Sequence, residues 1–137
     1  MKTGEYYRSK WNHYKAKIVT IDTNHVKMRT NDGVNEYYRI ENFNANWEKC
    51  RSIYEFEHQI KTKFKNCRIF HYTQLGESFK VIAPDYVWIE FAVSTDNNYL
   101  RVWFSQSIQQ QLNEDVSVMD FDINDADEVI DLFASLI

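Results

Sequence analysis

Glycine is scarce in this chain: Gly4, Gly33 and Gly76 are the only three among 137 residues. Loops that cradle phosphate with bare backbone need several closely spaced glycines, so nucleotide sites of that kind are excluded. Proline occurs once, at Pro84, and no low-complexity linker divides the chain. The two cysteines, Cys50 and Cys67, lack the CxxC or Cys/His spacing of a metal site, and two buried thiols in a reducing compartment are expected. No apolar run approaches membrane-spanning length, and Met1-Lys2-Thr3-Gly4-Glu5 leads into polar, aromatic sequence rather than a secretory signal. A cytoplasmic protein with no membrane association is the expectation.

Aromatic residues, by contrast, are abundant: four Trp, nine Tyr and nine Phe within a chain that is 44% hydrophobic. That composition belongs to a folded protein, long enough for one domain or for two small lobes sharing a core. Charge is unevenly placed. Residues 1–50 carry nine Lys/Arg against six Asp/Glu, whereas in residues 101–137 Arg101 alone stands against eight acids. A basic front and an acidic rear follow, an asymmetry that can steer a charged partner.

The stretch from Phe79 to Phe104 organises the rest. Val87, Ile89, Phe91 and Val93, then Leu100, Val102 and Phe104, alternate strictly on both sides of a turn. A turn at Asp96-Asn97 sets Val93 opposite Leu100, Phe91 opposite Val102 and Ile89 opposite Phe104, giving one wholly apolar face, and a turn at Asn97-Asn98 keeps the same faces. The second face, with Tyr86, Trp88, Glu90 and Ala92 against Tyr99, Arg101 and Trp103, is aromatic and amphipathic, with Glu90 and Arg101 as a diagonal ion pair.

Residues 1–47 read as an all-β lobe. Ala16–Ile21 and His25–Thr30 form a hairpin in which Val19 and Ile21 face Met28 and Val26, Asn31-Asp32-Gly33 turns the chain, and Tyr37–Ile40 adds a strand. The order Gly4-x-x-Tyr7, KAKIVTID, HVKMRTNDG, YYRIENF resembles small SH3-like barrels of the Tudor or KOW type, including prophage-encoded ones. The resemblance covers the first third of the chain; where KOW-type chains carry a glycine near the first strand, Asn12-His13 stand. It implies a small barrel that binds nucleic acid or protein and performs no catalysis.

Residues 48–137 read as an α+β lobe, packed with the first as one unit around Trp47. Ser52-Ile53-Tyr54-Glu55 is a capping box, and Ile53, Phe56, Ile60 and Phe64 recur at helical spacing, predicting a helix over 53–65. A strand at Cys67–Tyr72, a turn at Leu75-Gly76-Glu77-Ser78, the central hairpin, a loop or short helix around Ile108 and Leu112, a strand with Met119, Phe121 and Ile123 inward, and a helix capped near Asn124 follow. The expected architecture is α+β: an SH3-like barrel, then an antiparallel sheet with two helices in the order α-β-β-β-β-α, both helices on one sheet face.

No catalytic motif is present, so the expectation is that the protein is not an enzyme and uses no cofactor. Pro84-Asp85 with Glu90 lacks the lysine and spacing of a nuclease site. Asp120, Asp122 and Asn124 match the start of a calcium loop, but Asp125, Asp127 and Asp131 stand where glycine, an apolar residue and glutamate belong. His13, His25, His58 and His71 are scattered, and no metal site is expected. Two surfaces remain. Glu114, Asp115, Asp120, Asp122, Asp127 and Asp131 form an acidic set suited to occupying a basic groove of a protein or nucleoprotein complex as a charge mimic. Lys15, Lys17, Lys27, Arg29, Tyr37 and Arg39, within a basic-aromatic set that includes Lys10, Trp11, Tyr14 and Tyr38, suit phosphate contact with base stacking. The leading expectation is a phage or mobile-element interaction protein that inhibits a host complex through the acidic surface. Direct nucleic-acid binding by the front lobe is the alternative.

Overall fold

A computed structural model of the chain describes residues 1–12, 14–30, 33–72, 77–94 and 98–137. The turns expected at Asn31-Asp32, Leu75-Gly76 and Asp96-Asn97, and His13, lie outside the described residues. The fold is α+β, with two five-stranded antiparallel sheets and four helices. It divides into two units, Met1–Arg51 and Ser52–Ile137.

In the first unit, β1 (Tyr6–Ser9), β2 (Lys15–Ile21), β3 (His25–Thr30) and β4 (Asn35–Arg39) run as a meander, followed by α1 (Ile40–Asn46) and β5 (Trp47–Cys50). The sheet order is β4-β3-β2-β1-β5, so the last strand returns to the first, Tyr6 opposite Cys50 and Ser9 opposite Trp47. Among the described residues no ladder joins β4 to β5. Alternation sends Tyr7, Ala16, Ile18, Val26 and Met28 inward, where they pack with Phe43 of α1 and Trp47. Here the sequence misleads at two places: the lobe is not all-β, since Ile40–Asn46 form a helix where an all-β lobe is expected, and the register of β2 on β3 shifts. Unbroken alternation sets Val19 opposite Met28, but a register irregularity between Ile18 and Thr20 puts Ile18 there and leaves Val19 half-buried. An extra residue in one strand moves the following side chains to the other face.

The second unit opens with a 3-10 turn at Ile53–Phe56 and continues through α2 (Glu57–Lys63), β6 (Arg68–Tyr72), β7 (Ser78–Ile82), β8 (Trp88–Val93), β9 (Tyr99–Phe104), α3 (Gln106–Leu112), β10 (Val118–Asp122) and α4 (Ala126–Ser135). The element order is therefore α-β-β-β-β-α-β-α, with Ser78–Ile82 as a strand of its own and Gln106–Leu112 as a full helix. The expected capping box is present: Ser52 Oγ accepts from the Tyr54 amide at 3.2 Å and Glu55 accepts from the Ser52 amide at 2.8 Å. It starts a 3-10 turn rather than one long helix, and α2 is correspondingly shorter than the 53–65 expected.

Sheet order is β10-β9-β8-β7-β6, each strand beside its neighbour in sequence. The central register is the one expected for a turn at Asp96-Asn97: Ile89 opposite Phe104, Phe91 opposite Val102, Val93 opposite Leu100. Ile53, Phe56, Ile60 and Phe64 meet Val129, Ile130 and Phe133 of α4 over Phe79, Val81, Ile89, Phe91, Leu100, Val102 and Phe104, with Ile108 of α3 in the same cluster. Val87 packs at its margin. Among the described residues the opposite sheet face carries no helix of this unit; its cross-strand row reads Phe70, Lys80, Glu90, Trp103, Val118. Arg101 on that face forks onto Asp120, at 2.7 and 2.9 Å, and Glu90 accepts from Ser78 at 2.8 Å, rather than the two forming the diagonal pair expected. Tyr86, expected on the same strand face, instead sits in the Pro84-Asp85 turn with φ of 66°.

Candidate functional site

Alternation along Asn35–Arg39 separates two surfaces of the first unit. Glu36 and Tyr38 point one way, half-buried; Asn35, Tyr37 and Arg39 point the other, exposed. On the first side lies a pocket of about 450 Å³ lined by Ser9, Trp11, Asn12, Tyr14, Thr30, Val34, Glu36, Tyr38, Asn46 and Trp47. It draws on four stretches of the chain. The β1–β2 connection presents Trp11 and Tyr14 and is held by the Ser9 amide on the Tyr14 carbonyl at 2.8 Å. Strand β4 contributes Glu36 and Tyr38. The end of α1 contributes Asn46, and the start of β5 contributes Trp47, which is buried by Phe43 stacked at 6.4 Å.

Each wall has a fixed orientation. Trp11 is 81% exposed, yet its indole Nε1 donates to Asn46 Oδ1 at 2.8 Å and its amide to Ser9 Oγ at 3.2 Å. Asn46 in turn donates to the Asn42 carbonyl at 2.9 Å, so the indole is tethered to the helix. The rings of Tyr38 and Trp47 lie 5.7 Å apart at 60°. The Tyr38 hydroxyl donates to Glu36 Oε2 at 2.8 Å. Burial first, and then the Glu36 carboxylate, pushes the Tyr38 phenol up to about 12, so it remains a donor across the physiological range. The lining thus includes four aromatic side chains and one carboxylate, chemistry that suits a cation because ring faces and carboxylate oxygens are both negative.

The other side collects all six residues of the expected basic-aromatic surface. Lys17 lies opposite Arg29, Lys27 opposite Tyr37 with its ammonium 5.7 Å from the ring centre, and His25 opposite Arg39. Lys15 is at the margin, opposite Arg8, its ammonium donating to the Arg51 carbonyl at 2.9 Å. Among the described residues no carboxylate pairs with Lys17, Lys27, Arg29 or Arg39. Like charges directly across a ladder cost stability, by about 0.2–1 kcal/mol, and here they are retained.

The acidic set is dispersed. Asp120 and Asp122 project from β10 on the helix-free sheet face, and Asp122 caps the 3-10 turn at Ile123–Asp125 by accepting from the Asn124 amide at 2.8 Å. Asp127 and Asp131 are exposed on α4, on the other side of the sheet, with Asp131 3.2 Å from the Lys63 ammonium. Glu114 and Asp115 are exposed between α3 and β10. Among the described residues there is no cluster of three or more His, Cys, Asp or Glu able to hold a metal ion, and no helix long and apolar enough to cross a membrane.

Trp11, Tyr14 and Tyr38 are visible in sequence as members of one basic-aromatic set; their separation from the lysines, and the part played by Glu36, Asn46 and Trp47, are not. Period-two alternation over NEYYR is the signal that could have found the separation. Comparison of the chain with family models, with curated proteins and with solved structures returns no match.

Proposed function

We propose that the protein is a non-enzymatic binding protein whose first unit takes a lysine or arginine side chain of a protein partner into the aromatic pocket. The observation that carries this reading is the carboxylate of Glu36 set among Trp11, Tyr14, Tyr38 and Trp47 in a pocket large enough for such a side chain. The second unit favours the same class of partner. It carries six Lys/Arg against fourteen Asp/Glu, and Glu114, Asp115, Asp122 and Asp127 face solvent without a Lys or Arg partner among the described residues. A basic protein, of the kind that handles nucleic acid, complements both, and the six-residue acidic set with Asp120 and Asp131 supplies long-range attraction rather than one contiguous mimic.

The meander order β4-β3-β2-β1-β5 with a short helix before the last strand supports reading the first unit as an SH3-like barrel. From the resemblance to prophage barrels we carry the proposal one step on: a cytoplasmic phage or mobile-element product that inhibits a host nucleoprotein complex. The test is a titration of the full chain with a Lys-rich peptide and with its Gln-substituted counterpart, following the Trp11 indole N–H resonance. The Lys peptide is expected to shift it and the Gln peptide to leave it, with Glu36→Gln weakening the Lys peptide severalfold. Equal shifts from both peptides would sink the reading.

A second reading rests on the opposite surface. Four cations without carboxylate partners among the described residues, around an exposed Tyr37, suit a nucleic-acid backbone with a base stacked on the ring. Lys27→Ala with Arg29→Ala is then expected to weaken binding to single-stranded DNA or RNA and to lower the salt slope by about 1.4, because two phosphates are no longer neutralised. Absence of any complex at low salt disposes of it.

A further inference from the structure

The second sheet has two edges, and they differ in chemistry. At β10 the outward row is Val118, Asp120, Asp122. A second β10 laid antiparallel about Asp120 would set carboxylate against carboxylate, which guards that edge against pairing. At β6 the outward row is Arg68, Phe70, Tyr72, and nothing comparable guards it: Phe70 is 39% and Tyr72 47% exposed, no proline or lysine interrupts Arg68–Tyr72, and among the described residues the strand pairs only with β7. The helix side of β6 is already occupied. Ile69 packs on the core, and His71 stacks on Phe79 at 5.0 Å and meets the Tyr54 hydroxyl. What remains open is the backbone edge and the outward row.

We infer that β6 is the docking edge for a second copy of this chain, the two strands pairing antiparallel about a two-fold axis at Phe70. The strand is complementary to itself in that register. Phe70 meets its own copy, and Arg68 of each chain lies across from Tyr72 of the other, a guanidinium against a ring face. Arg68 already lies over an aromatic ring within its own strand, 5.8 Å from the centre of Phe70, so the pairing uses a contact its side chain makes on this surface. No like charges oppose one another, because Arg68 lies across from Tyr72 and His71 across from Ile69 in that register. The product is a ten-stranded sheet whose helix-free face continues from one copy into the next, an isologous interface that closes on itself and leaves only the guarded β10 edges outside.

Sedimentation equilibrium of the full chain tests this. A concentration-dependent dimer is expected, and Phe70→Asp, which sets carboxylate against carboxylate at the axis, raises its dissociation constant at least tenfold. Register is read separately in a chain with Cys50→Ser and Cys67→Ser. Residues at the axis have Cα atoms about 4.5–5.5 Å apart across an antiparallel pair, within disulfide reach. Under mild oxidation Phe70→Cys is therefore expected to give a covalent dimer, while Tyr72→Cys, about 13 Å from its own copy, does not. A monomer at the highest soluble concentration, a dimer indifferent to Phe70→Asp, or cross-linking that favours Tyr72→Cys would each overturn the inference. A monomer that instead binds an extended segment of a different protein along β6 overturns it equally.

Discussion

Phe133→Ala lowers the stability of the second unit by about 3–5 kcal/mol, a large part of the roughly 5–15 kcal/mol that holds an ordinary domain folded. The ring is fully buried on α4. Its centre lies 6.1 Å from Phe91, 5.7 Å from Phe104 and 6.0 Å from Phe121, so it joins the helix layer to strands β8, β9 and β10 together. Truncation leaves a cavity bounded by three rigid rings that have little freedom to collapse into it, which places the cost toward the upper part of that range. The control is one position away. Leu132, 46% exposed on the same helix, is expected to tolerate alanine within about 0.5 kcal/mol. Urea denaturation followed by amide resonances assigned to residues 52–137 measures both. A loss of less than about 1 kcal/mol for Phe133→Ala would show that the helix layer does not rest on this ring.

Trp11→Ala is the second large effect, and it appears in binding alone. An aromatic anchor at the centre of a recognition site is worth about 2 kcal/mol or more, a factor of roughly 30 in affinity, so a Lys-rich peptide is expected to bind about 30-fold more weakly. Folding is expected to be untouched, because 81% of this side chain faces water and its removal leaves no cavity. Trp11→Phe separates ring from tether: it keeps a π face but loses the donor to Asn46, and an intermediate affinity follows. Unchanged peptide affinity in Trp11→Ala, measured by calorimetry beside an unchanged melt, would remove the pocket from the recognition surface.

The parts of the fold legible from sequence are those where one local period acts alone. Ile89, Phe91 and Val93 with Leu100, Val102 and Phe104 reveal their buried face directly, since slipping a strand by one residue exposes every apolar side chain in it, whereas a slip of two keeps the face and is not decided by alternation. Ser52 and Glu55 mark a helical start correctly. Where two tendencies compete the pattern blurs. The residues from Ile40 to Asn46 have Phe43 as their one fully buried side chain, so α1 shows no stripe, and Trp47–Cys50 is a short strand identified by its pairing to β1, some forty residues earlier. The hairpin of β2 and β3 is plain in the alternation, but not the irregularity that exchanges Ile18 for Val19. Of the surfaces, the basic face is a property of alternation in single strands and is readable residue by residue. The pocket is assembled from side chains as far apart in sequence as Ser9, Trp11, Thr30, Glu36, Tyr38 and Trp47, and no local pattern announces such a convergence.

The return of β5 to β1 closes a loop of about forty residues, and the entropy of that closure is opposed at its end by Trp47. The same indole forms one wall of the pocket. On the proposed reading, a side chain held beside Trp47 would bind only the closed form and shift the first unit toward it, by RT ln(1 + [L]/Kd). A partner of this protein would act on it as a clasp acts on a bracelet.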